Sequence, residues 1–315
     1  MSPFERSFLF VTGKGGVGKT TVAAAVARAL SLSGRRTLLA VTETAAYREL
    51  LPGARWQGDP LSYDEHLFTV HIQSEAALKE YGRLLIKPRL ARQALFENRY
   101  VQGFLAAVPG LPQWAVLGKA WYHASEQVDG VNRFDSVVFD APATGHGFEM
   151  LRLPKVITDV APAGLLRRDA ELAWALLRDP ARSAVVLVTL PEELPTNETI
   201  ELSQRITGEL GLAIGSVVLN RVRPALFSPE ERALLHPLVD APVPGDGQGS
   251  PEQRDADQAL AAAAAHAIRE EVQLESIARL QALPAPIIEL PEVDADATPA
   301  ALLDTLSRVL LATRP

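Results

Sequence analysis

A glycine-rich loop close to the start of the sequence limits the folds that are open to this chain. Residues Gly13–Thr20 (GKGGVGKT) fit the pattern G-x-x-x-x-G-K-[ST]. The run Ser7–Thr12 before the loop has the aromatic and β-branched residues of a buried strand, and Lys19–Ser33 after it is Ala-rich with helical spacing. A second strand is predicted at Thr37–Val41. The sequence therefore predicts a right-handed parallel βαβ unit in which this loop joins strand to helix.

The composition of the loop suits the binding of a phosphate. Its glycines let the backbone wrap around an anion with several N–H groups pointing inward, and the helix that follows adds its dipole. We expect Lys19 to contact the β- and γ-phosphates of ATP and Thr20 to ligate Mg²⁺, whereas a glycine turn without a ligand would leave both residues unexplained. The predicted nucleotide-binding residues of this segment are Gly13, Lys14, Gly15, Gly16, Val17, Gly18, Lys19, Thr20 and Thr21.

The rest of the chain continues to alternate between strands and helices. Further strands are predicted at Leu67–Ile72, Ser136–Phe139, Ala184–Leu190, Ile214–Leu219 and Pro286–Leu290. Further helices are predicted at Ala163–Arg178, Leu194–Leu210, Asp255–Leu283 and Pro299–Ala312. This order predicts an α/β fold with a doubly wound, mostly parallel sheet of about seven strands. We predict one domain over residues 1–315, a helical subdomain inserted at 74–128 and a flexible Gly/Pro-rich loop at 240–257.

Composition excludes several kinds of site. The chain contains no cysteine, which rules out disulfides, thiolate metal sites and cysteine nucleophiles within it. A net charge of −7 argues against nucleic acid or an anionic membrane surface as a partner. The longest apolar stretch, Ala259–Ala265, is far shorter than the ~20 residues of a spanning helix, and the first apolar run leads directly into the phosphate loop, unlike a signal peptide. We therefore expect a cytoplasmic protein with no nucleic-acid partner and no stable membrane insertion.

A second chemically informative segment begins at Asp140. This residue ends the apolar run Ser136–Phe139 and is followed by Ala-Pro-Ala-Thr-Gly-His. A carboxylate at the end of such a strand is suited to holding Mg²⁺ through water, although it could instead cap a helix. Gly145 would let the loop approach a terminal phosphate and move with it. His146 could contact that phosphate or serve in packing.

These two segments resemble those of a known family. Lys14 gives the loop the deviant form K-G-G-x-G-K-[ST], and Asp140–His146 is similar to a second switch of the form D-T-A-P-T-G-H. Both features resemble the arsenical-pump and tail-anchored-protein-targeting (guided-entry) ATPases, relatives of the ParA and MinD partitioning ATPases. The resemblance implies an ATPase that binds ATP and Mg²⁺ between two subunits, with Lys14, Lys19 and Asp140 in catalytic roles. Lys14 would reach the nucleotide of the partner, unless it is simply a solvated loop lysine.

Two more positions take their interpretation from this resemblance. Asn220 follows the strand Ile214–Leu219, where the family has an Asn that hydrogen-bonds adenine, although an Asn there could also just end a strand in a turn. The first switch departs from the family pattern S-T-D-P-A-H-N, because Val41–Tyr47 reads VTETAAY. Glu43 stands where the family's Asp orients the attacking water, and Thr44 replaces the Pro. Since glutamate is one methylene longer, its carboxylate should lie about 1 Å or more from the aspartate position, so we predict slow or partner-dependent hydrolysis.

The segment 74–128 occupies the place where the family carries client binding. Its apolar residues at helical spacing fit either ordinary core packing or a groove that responds to nucleotide. Three functions remain open: handling of an apolar client protein or membrane protein, energy coupling for an anion or metalloid pump, and positioning of the ParA/MinD kind. The lack of cysteine weighs against trivalent arsenic as cargo. The single phosphate loop and Lys14, read through the family resemblance, imply a second ATPase subunit, either a second copy or a related chain.

Overall fold

A twisted, mainly parallel sheet lies at the centre of the described part of the chain. The computed structural model describes residues 4–85, 110–142, 146–238 and 251–313. The strands within these ranges are β1 Phe8–Gly13, β2 Thr37–Val41, β3 Leu61–Ser62, β4 Leu67–His71, β5 Gln127–Val128, β6 Val131–Asn132, β7 Ser136–Asp140, β8 Ser183–Thr189, β9 Ile214–Val222 and β10 Ile287–Pro291. Eight of them form one sheet in the order β10-β9-β8-β1-β7-β2-β4-β3, in which only β3 is antiparallel to its neighbour. β5 and β6 form a separate hairpin.

Helices cover both faces of this sheet. Within the described ranges they are α1 Lys19–Leu32, α2 Tyr47–Leu50, α3 Ser74–Leu85, α4 Leu111–Ser125, α5 His146–Val160, α6 Leu165–Arg178, α7 Glu193–Arg205, α8 Pro229–Leu235, α9 Pro251–Leu280 and α10 Pro299–Ala312. A π-helical turn, Ile206–Leu210, extends α7, and a 3-10 turn, His236–Leu238, follows α8.

Two apolar layers, one on each face, hold the sheet between the helices. Along β1 the side chains alternate, so that Leu9 and Val11 pack in the layer that includes α1 and α10. Phe8 and Phe10 pack in the opposite layer, with α4, α5 and α6. All four side chains are buried. Because both faces of the strand are covered, its sequence is a continuous apolar run instead of an alternating one.

The predicted fold class is confirmed. All seven predicted strands are present, and β3, β5 and β6 are additional elements of only two residues each. The helix α5 was not predicted from its sequence, which contains Pro154 in its interior. The helix α9 begins at Pro251, before the predicted Asp255. The seven predicted strands occur in the predicted order, whereas α2, α5 and α8 are helices that were not predicted.

Parts of the predicted insert and loop fall beyond the residues that the structure describes. Residues 86–109 of the segment 74–128, residues 240–250 of the segment 240–257, and residues 143–145 of the second switch lie outside the described residues. The helices α3 and α4 of the insert pack on each other and against the sheet. In the described ranges, none of the helices has the length and apolar character that crossing a membrane requires.

The parallel register brings distant segments to one edge of the sheet. Asp140 of β7 lies beside Val11 of β1 and Val41 of β2. Gly13 of β1 lies beside Val188 of β8. The glycine loop, the first switch and the second switch therefore all leave the sheet at the carboxyl ends of neighbouring strands, which is where open α/β sheets place their ligands.

Candidate active site

Close backbone approaches explain two of the glycines in the loop. A Cβ on Gly13 would lie 2.2 Å from the carbonyl oxygen of Val188, so a side chain there would collide with β8. Gly18 has a φ of +88°, and a Cβ there would lie 2.4 Å from Nδ2 of Asn220. Both positions require glycine, by space and by backbone conformation. By contrast, Gly15 and Gly16 are exposed, with open space where a Cβ would be.

Asn220 holds the loop from the end of β9. Its side chain is buried, and Nδ2 donates a hydrogen bond to the carbonyl oxygen of Val17 at 3.0 Å. Val17 is itself buried in the core. The side-chain amide that the family resemblance assigns to adenine thus already donates one hydrogen bond to the phosphate loop. In this geometry Asn220 links the last part of the sheet to the loop.

Lys19 is buried at the first position of α1. Its Nζ donates to the carbonyl oxygen of Lys14 at 2.7 Å and thereby ties the helix to the start of the loop. Burial lowers the pKa of Lys19, and the nearby carboxylate of Asp140 partly opposes that effect. Thr21, two residues further along α1, is half-buried. The cation predicted to contact phosphate therefore lies against the loop backbone and close to an anionic partner.

Asp140 is the centre of a hydroxyl network. Its Oδ2 accepts hydrogen bonds from Thr20 Oγ1 at 3.0 Å and from Tyr47 Oη at 2.8 Å. Its Oδ1 is buried and has no hydrogen-bond partner in the protein. Two residues that lie far apart in the chain, one from the phosphate loop and one from the first switch, thus converge on a single carboxylate oxygen.

The environment of Asp140 shifts its proton equilibrium. Burial raises its pKa to about 6, while the hydrogen bonds from Tyr47 and Thr20 and the charge of Lys19 lower it, and Glu43 raises it. Burial and the negative charge of Asp140 raise the pKa of Tyr47 well above its usual range. Tyr47 therefore stays a hydrogen-bond donor across the physiological pH range.

A cavity of about 260 Å³ separates the phosphate loop from the two switches. It is lined by Gly16, Gly18, Lys19, Thr20, Thr42, Glu43, Asp140, Ala141 and Pro142. Glu43, from the first switch, is exposed and lines the same cavity. The sequence prediction brought Lys19, Thr20, Glu43 and Asp140 together from three segments, and the structure places all four around this one cavity.

The residues around the cavity fit a magnesium ion. The buried Oδ1 of Asp140 lacks a partner and is available to a donor such as a metal-bound water, and the oxygen of Thr20 is a hard ligand of the type that Mg²⁺ prefers. Within the ranges that the structure describes, no group of three or more His, Asp or Glu side chains could hold a metal ion. A metal at this site would therefore need further ligands from phosphate and water, as Mg²⁺ commonly does with nucleotides.

Lys14 lies apart from that cavity. Its side chain is 59% exposed, and its Nζ is 2.5 Å from Oε1 of Glu198 on α7. Both residues line a neighbouring cavity of about 190 Å³, together with Phe148 and Arg205, whose guanidinium stacks over the Phe148 ring at 3.9 Å. The second lysine of the loop is thus held against α7 within its own chain.

Two residues of the site were not predicted. Tyr47 was seen only as the last residue of the altered first switch, and Glu198 was one acidic residue of a polar helix. A lone aromatic residue after the small and polar residues 42–46 is the sequence signal that could have pointed to Tyr47. Glu198 carries no such signal, because its partner Lys14 is distant in sequence. The side chain of His146 lies outside the described part of the structure.

The sequence of this chain is similar to those of known ATPases. Residues 6–163 match the sequence model of a family described as anion-transporting ATPase. ATPase BagA of Mycobacterium tuberculosis is 32% identical over 305 residues, which cover 90% of this chain and 86% of BagA. An arsenical pump-driving ATPase of Escherichia coli is 28% identical over 254 residues, covering 73% of this chain and 41% of the pump ATPase. ATPase ARSA1 of Chlamydomonas reinhardtii is 25% identical over 266 residues, covering 65% of this chain and 34% of ARSA1.

Proposed function

The chain belongs to the ArsA-like family of P-loop ATPases, and we propose that it acts as a nucleotide-switched dimer that binds ATP with Mg²⁺ at the loop Gly13–Thr20. The observation that carries the proposal is the hydrogen bond from Thr20 to Asp140 at 3.0 Å. It joins the phosphate loop to the second switch at the cavity that also contains Glu43. A change at the phosphate would therefore act on both switches at once.

The residues of the cavity divide the work of phosphoryl transfer. Lys19 and the loop amides would bind the phosphate oxygens and offset the charge that develops on them. Thr20 and Asp140 would hold Mg²⁺, which neutralises phosphate charge when it is bound. Glu43 lines the cavity at the place where the family pattern has the Asp that orients the attacking water. The chemistry is positioning and electrostatics, because phosphoryl transfer demands little else of the protein.

We further propose that hydrolysis is slow or depends on a partner, because Glu43 is exposed and its segment lacks the stiffening proline of the family pattern. In single-turnover measurements, wild-type protein and Glu43→Gln should hydrolyse ATP at similarly low rates while both bind ATP. Glu43→Asp, which restores the family's residue, should be at least as fast as the wild type. A fast wild type combined with a slow Glu43→Gln variant would show that Glu43 is the working carboxylate and would contradict slow hydrolysis.

The dimer proposal rests on Lys14. Its ammonium is paired with Glu198, a contact with partial exposure on both sides, and such ion pairs are weak. A phosphate of a facing subunit would offer Lys14 a stronger partner, so ATP should favour dimerisation. Sedimentation velocity with a non-hydrolysable ATP analogue should show a dimer for the wild type and a monomer for Lys14→Ala. Lys79→Ala, which removes an exposed lysine of α3, is the control and should still dimerise. Equal dimerisation of all three proteins would remove the support for Lys14.

We also propose an apolar client protein or membrane-associated partner, on the basis of a cavity of about 520 Å³ between α3, α4 and α6. Its walls include Tyr81, Leu84, Trp114, Trp121, Tyr122 and Leu165. A labelled apolar helical peptide should bind the ATP-analogue form, and Leu84→Asp should weaken that binding. Leu234→Asp, at an exposed leucine on α8, is the control. Peptide binding that responds equally to both substitutions would argue against this cavity and leave the pump-coupling and positioning functions as the alternatives.

A further inference from the structure

Tyr47 fastens the first switch to the carboxylate at the end of β7. The residue begins α2 and is 1% exposed, and its ring packs on Trp56 with 5.2 Å between ring centroids. Its hydroxyl donates to Asp140 Oδ2 at 2.8 Å, the shorter of the two hydroxyl contacts to that oxygen. The aromatic ring is thus fixed by packing, and the hydroxyl is delivered to one defined point of the site.

The two hydroxyl groups on Oδ2 determine the direction of the carboxylate. Tyr47 approaches from the first switch and Thr20 from the phosphate loop, so rotation of the Asp140 carboxylate would break both bonds. The other oxygen, Oδ1, is buried and receives no hydrogen bond from the protein. A buried carboxylate oxygen without a donor is costly unless a ligand completes it. The arrangement therefore leaves one oxygen for a ligand and uses the other only for alignment.

The same contact defines one end of the segment that carries Glu43. At the other end, Nε2 of His71 donates to the carbonyl oxygen of Thr42 at 3.2 Å. Glu43 lies between these two anchors, at the cavity that Asp140 also lines. The position of Asp140 and the path of the first switch are therefore mechanically joined through one phenol hydroxyl.

We propose that Tyr47 is a positioning residue for the magnesium site, whose hydroxyl aligns Asp140 for Mg²⁺ bound with ATP and couples that carboxylate to the first switch. The inference rests on the proposed nucleotide function of the same site. A purely structural Tyr47 would act through its buried ring, and the hydroxyl would merely satisfy its own hydrogen-bonding capacity. Tyr47→Phe separates the two, because it keeps the ring against Trp56 and removes only the hydroxyl.

The test measures binding of a fluorescent, non-hydrolysable ATP analogue as Mg²⁺ is titrated, and separately in EDTA. Because partners that orient a metal ligand typically change metal affinity about 10- to 100-fold, Tyr47→Phe should raise the half-saturating Mg²⁺ concentration about 10-fold. Its affinity for the analogue in EDTA should equal that of the wild type. Tyr81→Phe is the matched control, since Tyr81 also donates to a carboxylate, Oδ2 of Asp169 at 3.1 Å, away from the phosphate loop. It should leave both measurements unchanged.

The possible outcomes distinguish failure of the positioning role of Tyr47 from failure of the proposed Mg²⁺ and nucleotide binding. An unchanged Mg²⁺ titration for Tyr47→Phe would overturn the positioning role, as would an equal loss of analogue binding in Mg²⁺ and in EDTA, which would mark a structural residue. A wild-type protein that binds the analogue without any response to Mg²⁺ would instead refute the proposed magnesium site itself. Calorimetric melting of both variants in the nucleotide-free state checks that the fold is intact.

Discussion

A tyrosine donates to an aspartate at two places in the described structure, once at the sheet edge and once in the helical layer. At the edge, Tyr47 and Asp140 are both buried, and Thr20 adds a second donor. In the helical layer, Tyr81 donates to Asp169, which is partly exposed beside the apolar cavity of α3, α4 and α6. Burial raises the pKa of both carboxyl groups, and that of Asp140 is raised to about 6.

The lysines of the two regions also differ in burial and in the partners of their ammonium groups. Lys19 is buried and donates to a backbone carbonyl, whereas Lys119 pairs with the exposed Glu80 at 2.6 Å. In the helical layer, Lys119 and Glu80 pair with each other beside an apolar cavity. At the sheet edge, charged groups are buried with part of their bonding capacity unused, as Asp140 Oδ1 shows. This difference is consistent with the proposed charged ligand at the sheet edge and the proposed apolar client at the helical layer.

Removal of the two lysines should give the sharpest contrast. Lys19→Ala should weaken ATP binding at least ~100-fold, because several charge-assisted hydrogen bonds to phosphate are lost together. Lys119→Ala should leave ATP binding unchanged, since this lysine serves a surface pair. Isothermal titration calorimetry with Mg²⁺ and an ATP analogue measures both. Comparable affinities of wild type and Lys19→Ala for the ATP analogue would contradict the proposal that the sheet edge binds the nucleotide phosphates.

Replacement of Asp140 or Asp169 by asparagine tests how the buried carboxyl group affects stability at different pH values. The pKa of Asp140 is raised from 3.8 to about 6 by burial, so between these values the folded state holds a proton that the unfolded state releases. Protonation of Asp140 therefore increases the free energy of unfolding as the pH falls from 7 to 4. This stabilisation is lost as the pH rises through about 6. The difference amounts to at most ~3 kcal/mol, and about 1–2 kcal/mol is expected once water relaxation is included.

The measurement is urea unfolding in EDTA, without nucleotide, between pH 4 and 8. Asp140→Asn should lose this part of the pH dependence, whatever constant change in stability the substitution adds. Asp169→Asn should retain it, because Asp140 and its surroundings are unchanged in that variant. If the wild-type and Asp140→Asn curves stay parallel across the range, the carboxyl of Asp140 is not shifted in the way that its burial implies.

The fold and the phosphate loop could be predicted from the sequence because both depend on local patterns. Apolar runs marked seven strands of the sheet, and the G-x-x-x-x-G-K-[ST] spacing placed Lys19 and Thr20 at a helix start. The two-residue strands β3, β5 and β6 carry too little periodicity to be recognised. The helix α5 was hidden by Pro154 in its interior, since proline usually ends a helix.

The long-range contacts of the site could not be predicted in the same way. Tyr47 meets Asp140, and Asn220 meets Val17, only because the register of the parallel strands brings their loops together. Nothing in the local sequence of Asn220 indicates a bond to the phosphate loop. The family resemblance suggested adenine as its partner, and the structure adds a contact that the resemblance did not contain. Side-chain pairing between distant segments depends on register, which apolar patterns alone do not determine.

Alanine substitutions at two glycines, one in α4 and one in the phosphate loop, should have the smallest effects and opposite signs. Gly118 lies in the interior of α4, and a Cβ there would meet only the Trp114 ring at 3.8 Å, an ordinary contact. Gly118→Ala should therefore raise the free energy of unfolding by about 0.5–1 kcal/mol, because alanine loses less backbone entropy in a helix. Gly18→Ala should do the opposite, since its φ of +88° and the 2.4 Å approach to Asn220 leave no room for a methyl group. Urea unfolding at pH 7.5 measures both. A destabilised Gly118→Ala would mean that α4 is packed as tightly at the apolar cavity as the loop is at β9, and the two regions would then differ in charge alone.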